Sequence, residues 1–227
     1  MTTTGTSVFL LDVDNTLLDN DRFEADLKDH LEHEFGAESR QQYMDIYESL
    51  REELGYADFL GALQRYRVSN LDEPRLLLMS SFLVDYPFAR RLYPAALDVI
   101  QHLGNHGRTV ILSDGDAVFQ PRKVQCSGLW DAVSGRVLIY IHKEQMLDAV
   151  VRRFPARHYI IIDDKPRILQ AMKEVLGDRL TTVFVRQGHY ALDPDNSKGY
   201  RPPDVVVEGI GDLLELDPST LRNRATA

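Results

Sequence analysis

Residues 8–20 read VFLLDVDNTLLDN, and this stretch constrains the fold more than any other. Val8–Leu11 is continuously apolar, the pattern of a strand buried on both faces. Asp12 and Asp14 follow it at once. Like charges at close range repel, and a buried, unpaired carboxylate is costly. Taken alone, the pair is compatible with a turn at a strand end, capped by its own side chains. If the strand is central, the carboxylates need a cation.

The rest of the chain favours a central strand. Apolar runs at 109–112, 136–141, 159–162, 181–185 and 205–207 read as further strands. Helical patterns lie between them, at 95–103, 119–126, 142–154 and 168–176. Continuous apolar strands alternating with helices imply a parallel sheet covered on both faces. Residues 19–88 differ in texture. Phe23, Leu27 and Leu31, then Tyr43, Ile46, Tyr47 and Leu50, then Phe59, Leu60 and Leu63 repeat at helical spacing. A further helix is expected over 73–84, with Pro74 near its start. The segment reads as three or four inserted helices, which divides the chain into a core of residues 1–18 and 89–227 and a helical unit of residues 19–88. Beyond Leu216 the tail is expected to fray.

In open parallel sheets ligands bind beyond the carboxyl ends of the strands. Three strands end there in polar clusters: Asp12/Asp14, Ser113/Asp114 and Asp163/Asp164. Carboxylates gathered at one pole call for a hard cation, and Mg2+ takes oxygen ligands of this kind. A carboxylate can attack phosphorus to give an aspartyl phosphate. A second carboxyl group can protonate the leaving oxygen and then activate water. Ser113, the neighbouring backbone N–H groups and a lysine can hold the phosphoryl oxygens.

Composition narrows the alternatives. The net charge is -9 and no segment is densely basic, so nucleic acid is not an expected partner. The single cysteine, Cys126, rules out an internal disulfide and a Cys-rich zinc site, and reads as an ordinary thiol. MTTTGTS has neither the basic nor the apolar part of a signal peptide, and no apolar run is long enough to span a membrane. The expected location is cytoplasmic.

The segments LLDVDNTL (10–17), VILSDG (110–115), Lys143 and IIIDDK (160–165), in this order, resemble the haloacid dehalogenase superfamily. LYPAALDVIQHL also resembles the family helix that precedes the second motif. The resemblance covers residues 8 to about 186. It implies a Rossmann-like core with a parallel sheet and, for residues 19–88, a helical cap of the C1 type. By the same resemblance Asp12 is a nucleophile and Mg2+ ligand. Asp14 is the general acid/base, with its backbone carbonyl on the metal. Ser113, Asp114 and Lys143 form the phosphate site, Lys143 also pairing with Asp12. Asp163 and Asp164 complete the metal site. Family members that cleave carbon–halogen bonds generally lack the second aspartate, so Asp14 implies phosphate chemistry on a small phosphorylated metabolite.

This sequence departs from the pattern in places. Asn15 stands where glycine is common, and Asn tolerates a left-handed backbone. Asp114 stands where Asn is frequent, adding negative charge beside an anion site. Lys143 has a rival in Lys123; its position at a helix start after a strand favours Lys143. Lys165 is expected to face solvent. Arg186 and His189 either reach substrate or belong to an exposed turn, and the sequence leaves both readings open. Tyr43, Tyr47, Tyr56 and Tyr66 read mainly as cap core. Glu24, Asp26 and Asp29 read as a solvated helix face, and His30 and His33, though three apart, have no third ligand that would make them a metal site. A phosphotransferase or mutase, and a binding module with little turnover, remain alternatives to a phosphohydrolase, with a hydrolytic dehalogenase behind them.

Overall fold

In the computed structural model, residues 7–222 are described; the expectation for MTTTGTS therefore lies almost wholly outside them. Six strands form one parallel sheet: β1 (Ser7–Leu11), β2 (Gly107–Asp114), β3 (Val137–Tyr140), β4 (His158–Asp163), β5 (Leu180–Val185) and β6 (Val205–Val207). Their spatial order is β3-β2-β1-β4-β5-β6. The chain winds outward from β1 on one side, then returns to its other side at β4. That reversal opens a crevice at the carboxyl ends of the central strands.

Alternate residues of the central strands feed two cores. Phe9, Leu11, Ile111, Ile160 and Ile162 pack on one face of the sheet. Val8, Leu10, Val110, Leu112, Tyr159 and Ile161 pack on the other. Because both faces are covered, every residue of β1 is buried. This explains the absence of apolar/polar alternation in these runs.

Four helices lie between β1 and β2: α1 (Asn20–Phe35), α2 (Ala37–Leu54), α3 (Phe59–Ser69) and α4 (Leu76–Asp85). The Asp19 side chain caps α1 by accepting from the Arg22 N–H. The expected start at Glu73 is wrong, since α4 begins only at Leu76 and Pro74 stays outside it. Phe23 of α1 and Phe59 of α3 meet edge-on, with centroids 5.2 Å apart, and both contact Phe119, in the segment that follows β2. The inserted helices thus share one apolar cluster with a face of the sheet.

The remaining helices are α5 (Ala96–Gly104), α6 (Phe119–Cys126), α7 (Leu129–Ala132), α8 (Leu147–Arg153), α9 (Pro166–Leu176) and α10 (Gly188–Leu192). Two expectations need correction. The helix read over 142–154 is broken into a single turn at Lys143–Gln145 followed by α8. The break occurs where the Asp114 carboxylate accepts the Lys143 backbone N–H, which holds that turn to the end of β2. The tail beyond Leu216 is packed as far as Leu221, whose carbonyl accepts from the Thr181 hydroxyl at 2.6 Å. No helix among the described residues is long and apolar enough to cross a membrane.

Candidate active site

Strand register brings the acidic residues together. Leu11 pairs with Ile162 on one side and Ile111 on the other, so Asp12, Asp163 and Leu112 stand level. The Asp12 N–H donates to Ile162 O at 3.0 Å, extending the pairing by one residue. Ser113 and Asp114 follow at the end of β2. The chain then turns sharply after Asp14. Asn15 adopts φ 58, the left-handed conformation that its side chain tolerates. Its Oδ1 accepts the N–H groups of Asn20 and Asp21 at the start of α1. Gly188 presses against it so closely that an added Cβ would lie 2.5 Å from Asn15 Cβ.

Asp12, Asp163 and Asp164 are buried, and one carboxylate oxygen from each can lie within 4.8 Å of the others. Lys143 is 1% exposed and sits between two of them. Its Nζ is 2.5 Å from Asp12 Oδ1 and 2.6 Å from Asp163 Oδ2. Burial by itself would pull the ammonium's pKa down, but Asp12, Asp163 and Asp114 outweigh it and hold the lysine charged. One lysine does not balance three carboxylates. Burial pushes the Asp163 and Asp164 carboxyls upward, Asp164 strongly. Asp12 Oδ2 and both Asp164 oxygens are buried without a hydrogen-bond partner. Orphaned hard oxygens beside each other fit a divalent cation, which would reverse that upward push.

The side chain of Asp14 takes a different direction. Its Oδ1 accepts from Lys123 Nζ at 2.7 Å and its Oδ2 from Gln120 Nε2 at 3.2 Å. Gln120 and Lys123 stand three residues apart on α6 and so share a face. Gln120 Nε2 also donates to Ser113 Oγ at 3.0 Å. The lysine is 1% exposed and boxed by the rings of Phe23, Phe88 and Phe119. Its remaining contact is Asn20 Oδ1 at 2.9 Å, at the first residue of α1. The two lysines are therefore not rivals: Lys143 serves Asp12 and Asp163, and Lys123 serves Asp14. The Q-x-x-K spacing just after the Ser113 loop is the signal that would have separated them.

A cavity of about 230 Å³ lies between this edge of the sheet and the inserted helices. Asp14, Asp114, Asp164 and Lys165 line its floor, and Glu24, Tyr47, Arg51 and Tyr56 its helical wall. Lys165 is thus half-buried at the cavity, not turned to solvent as expected. Burial alone would lower its pKa, but Asp164, Asp12 and Asp163 together raise it. The Asp114 carboxyl is pushed up to about 6 by burial, with Lys143 pulling the other way.

Several open readings resolve. His189 lines the cavity, its ring Nδ1 2.6 Å from Asp21 Oδ1, whereas Arg186 pairs with Glu208 on the surface. Tyr43 and Tyr66 belong to the helical core, and Tyr47 is buried but also reaches the cavity. The face read as solvated is only partly so. Glu24 lines the cavity, and Asp26 bonds Tyr86 and Arg91. His30 stacks on Phe82 while His33 is exposed beside Glu34, so the two make no metal pair. Cys126 is a free, half-buried thiol.

No protein-family model and no curated protein matches the chain. Solved structures do. A haloacid dehalogenase-like hydrolase from Burkholderia xenovorans LB400 is 63% identical, with a TM-score of 0.90 over 96% of this chain and 99% of that one. The HAD-hydrolase YfnB from Bacillus subtilis, solved with magnesium bound, is 17% identical with a TM-score of 0.61, covering 93% of this chain and 98% of its own. L-2-haloacid dehalogenase from Xanthobacter autotrophicus, solved with chloropropionic acid covalently bound, is 20% identical with a TM-score of 0.60, again covering 93% and 98%. At such low identity the last two speak for the fold alone.

Proposed function

Because the chain belongs to the haloacid dehalogenase-like hydrolases, we propose that it hydrolyses a small phosphomonoester with Mg2+ as cofactor, by way of an aspartyl phosphate on Asp12. The observation that carries this reading is the second carboxylate. Asp14 stands two residues after Asp12 at the cavity floor, with both oxygens held by Lys123 and Gln120. A halide leaves without needing a proton, so a dehalogenase has no task for such a group. An alkoxide leaving group needs one.

Asp12 attacks phosphorus as the ester P–O bond breaks, and Asp14, which enters this step protonated, gives its proton to the departing oxygen. Water then attacks the phosphoryl-Asp12, Asp14 takes a proton from it, and inorganic phosphate leaves with the Asp12 carboxylate restored. Lys143 keeps Asp12 oriented through its 2.5 Å contact and offsets charge on the phosphoryl oxygens. Ser113 contributes its hydroxyl, which Gln120 already orients. Asp12, Asp163 and Asp164, with the Asp14 carbonyl, would hold Mg2+. The ion would neutralise the carboxylates and polarise the phosphoryl group. Residues 19–88 act as a cap that closes over the cavity and keeps bulk water out.

The test is phosphate release from an aryl phosphate, with and without Mg2+, by the wild type and Asp12→Asn. Turnover that needs Mg2+ and disappears in the variant supports the reading. Chloride release from a 2-haloacid without any phosphate release would sink it. Mg2+ binding has its own readout. The melting temperature should rise with added Mg2+, and Asp164→Asn should abolish the rise.

A further inference from the structure

The cap wall of the cavity holds a carboxylate with a feature the hydrolytic chemistry does not use. Glu24 lies on α1, faces the cavity with Tyr47 and Arg51, and is half-buried. Its Oε1 accepts from Asn20 Nδ2 at 3.2 Å and from the Tyr47 hydroxyl at 3.3 Å. Both donors are neutral. Lys28 and Arg51 act on it only at longer range, and no cation of the described residues lies within 4 Å of the Glu24 carboxylate. Burial outweighs those two cations and pushes the carboxyl upward.

The neighbouring cations are drawn to other carboxylates, Lys165 by Asp164, Asp12 and Asp163. Lys123 serves Asp14, Arg167 contacts Glu144 at 2.8 Å and Arg51 contacts Glu48 at 3.6 Å. A half-buried carboxylate left with neutral donors gains from a cation brought by the ligand. The surrounding surface suits an ammonium as well. Tyr47 stacks on Phe59 with centroids 4.6 Å apart, and Tyr56 completes an aromatic lining at the same wall.

We propose that Glu24 is the specificity determinant of the site, reading an ammonium group on the leaving-group side of the substrate. The substrate class is then a small phosphomonoester of an amino alcohol, with the phosphoryl group at the Asp12 pole and the ammonium at Glu24. This assignment rests on the phosphohydrolase reading for its chemistry, but not for its binding.

The experiment compares matched esters and their non-hydrolysable counterparts. The wild type is assayed on O-phosphorylethanolamine, 2-hydroxyethyl phosphate and propyl phosphate. Calorimetry measures its binding of 3-aminopropylphosphonate and butylphosphonate. The expected result is a preference of about tenfold or more for each ammonium-bearing compound, which falls toward unity in Glu24→Gln. The amide can still accept from Asn20 and Tyr47, so the change removes charge with little change of shape. Should the variant fail to fold, the wild-type comparison decides alone. Equal or better binding of butylphosphonate overturns the ammonium subsite, whatever the turnover. Selective binding of the aminophosphonate without turnover of any ester overturns the hydrolase reading and leaves the subsite standing.

Discussion

Lys143 and Asp12 are 131 positions apart in sequence, yet Nζ and Oδ1 meet at 2.5 Å in a site closed to solvent. The same ammonium reaches Asp163. A buried ion pair is weak evidence for stability, but breaking one strands the partner's charge. Lys143→Met should therefore lower stability by about 3–5 kcal/mol without Mg2+ and cut turnover by about a thousandfold. Denaturant unfolding and phosphate release check the two effects separately. A variant as stable as the wild type would mean that the carboxylates have a partner other than Lys143.

Asp14 should affect the two halves of the reaction unequally. An aryl leaving group departs with little protonation, whereas an alkoxide does not. In Asp14→Asn, alkyl phosphates should slow by about a hundred- to ten-thousandfold. Aryl phosphates should instead show a rapid burst of phenol followed by slow dephosphorylation of Asp12. Stopped-flow measurement of the burst distinguishes this from a general loss of binding, in which no burst would appear.

Asp114 contributes a pH dependence of its own. Burial raises its carboxyl to about 6 against the pull of Lys143, so the group is neutral below that value and anionic above it. Negative charge beside the proposed phosphate site therefore appears as pH rises through about 6. Asp114→Asn keeps an acceptor for the Lys143 N–H but never ionises. Its kcat/KM should exceed that of the wild type about three- to tenfold near ~pH 8, and the two profiles should converge below about pH 5. Using the ratio of the two enzymes cancels the ionisation of the substrate.

Away from the site, Asp204 ties α9 to β5. Its Oδ2 accepts from Lys173 Nζ at 2.9 Å, the Thr182 N–H at 2.8 Å and the Thr182 hydroxyl at 3.1 Å. Burial would raise its pKa, but Lys173 and Thr182 prevail and hold it below the ordinary 3.8. A depressed carboxyl adds stability above its unfolded pKa, and that stability disappears as pH falls through the folded value. Asp204→Asn should cost about 1 kcal/mol at neutral pH and much less near ~pH 3. Urea unfolding at both pH values measures the difference, and an equal cost at both would remove the charge from the explanation.

Much of this was legible from local pattern. The apolar run at Val8–Leu11, its repeats and the acidic ends mark the strands and the pole, because a strand buried on both faces needs no alternation and a parallel sheet gathers its carboxyl ends. The left-handed turn at Asn15 was equally readable from one side chain. The break before α8 was not, since it depends on a hydrogen bond from Lys143 back to Asp114, 29 positions earlier. Nor was the packing of Leu221, which takes its hydrogen bond from β5.

By itself, then, the sequence determined the parallel α/β architecture, the inserted helices and the carboxylates at the strand ends, all properties of residues near one another along the chain. Tertiary structure alone decided that Lys143 and Lys123 divide Asp12 and Asp14 between them, that Lys165 turns inward and that Glu24 faces the cavity. A charged side chain on a helix is solvated by default. Only the surface packed against it determines whether the charge is buried, and that surface comes from elsewhere in the chain.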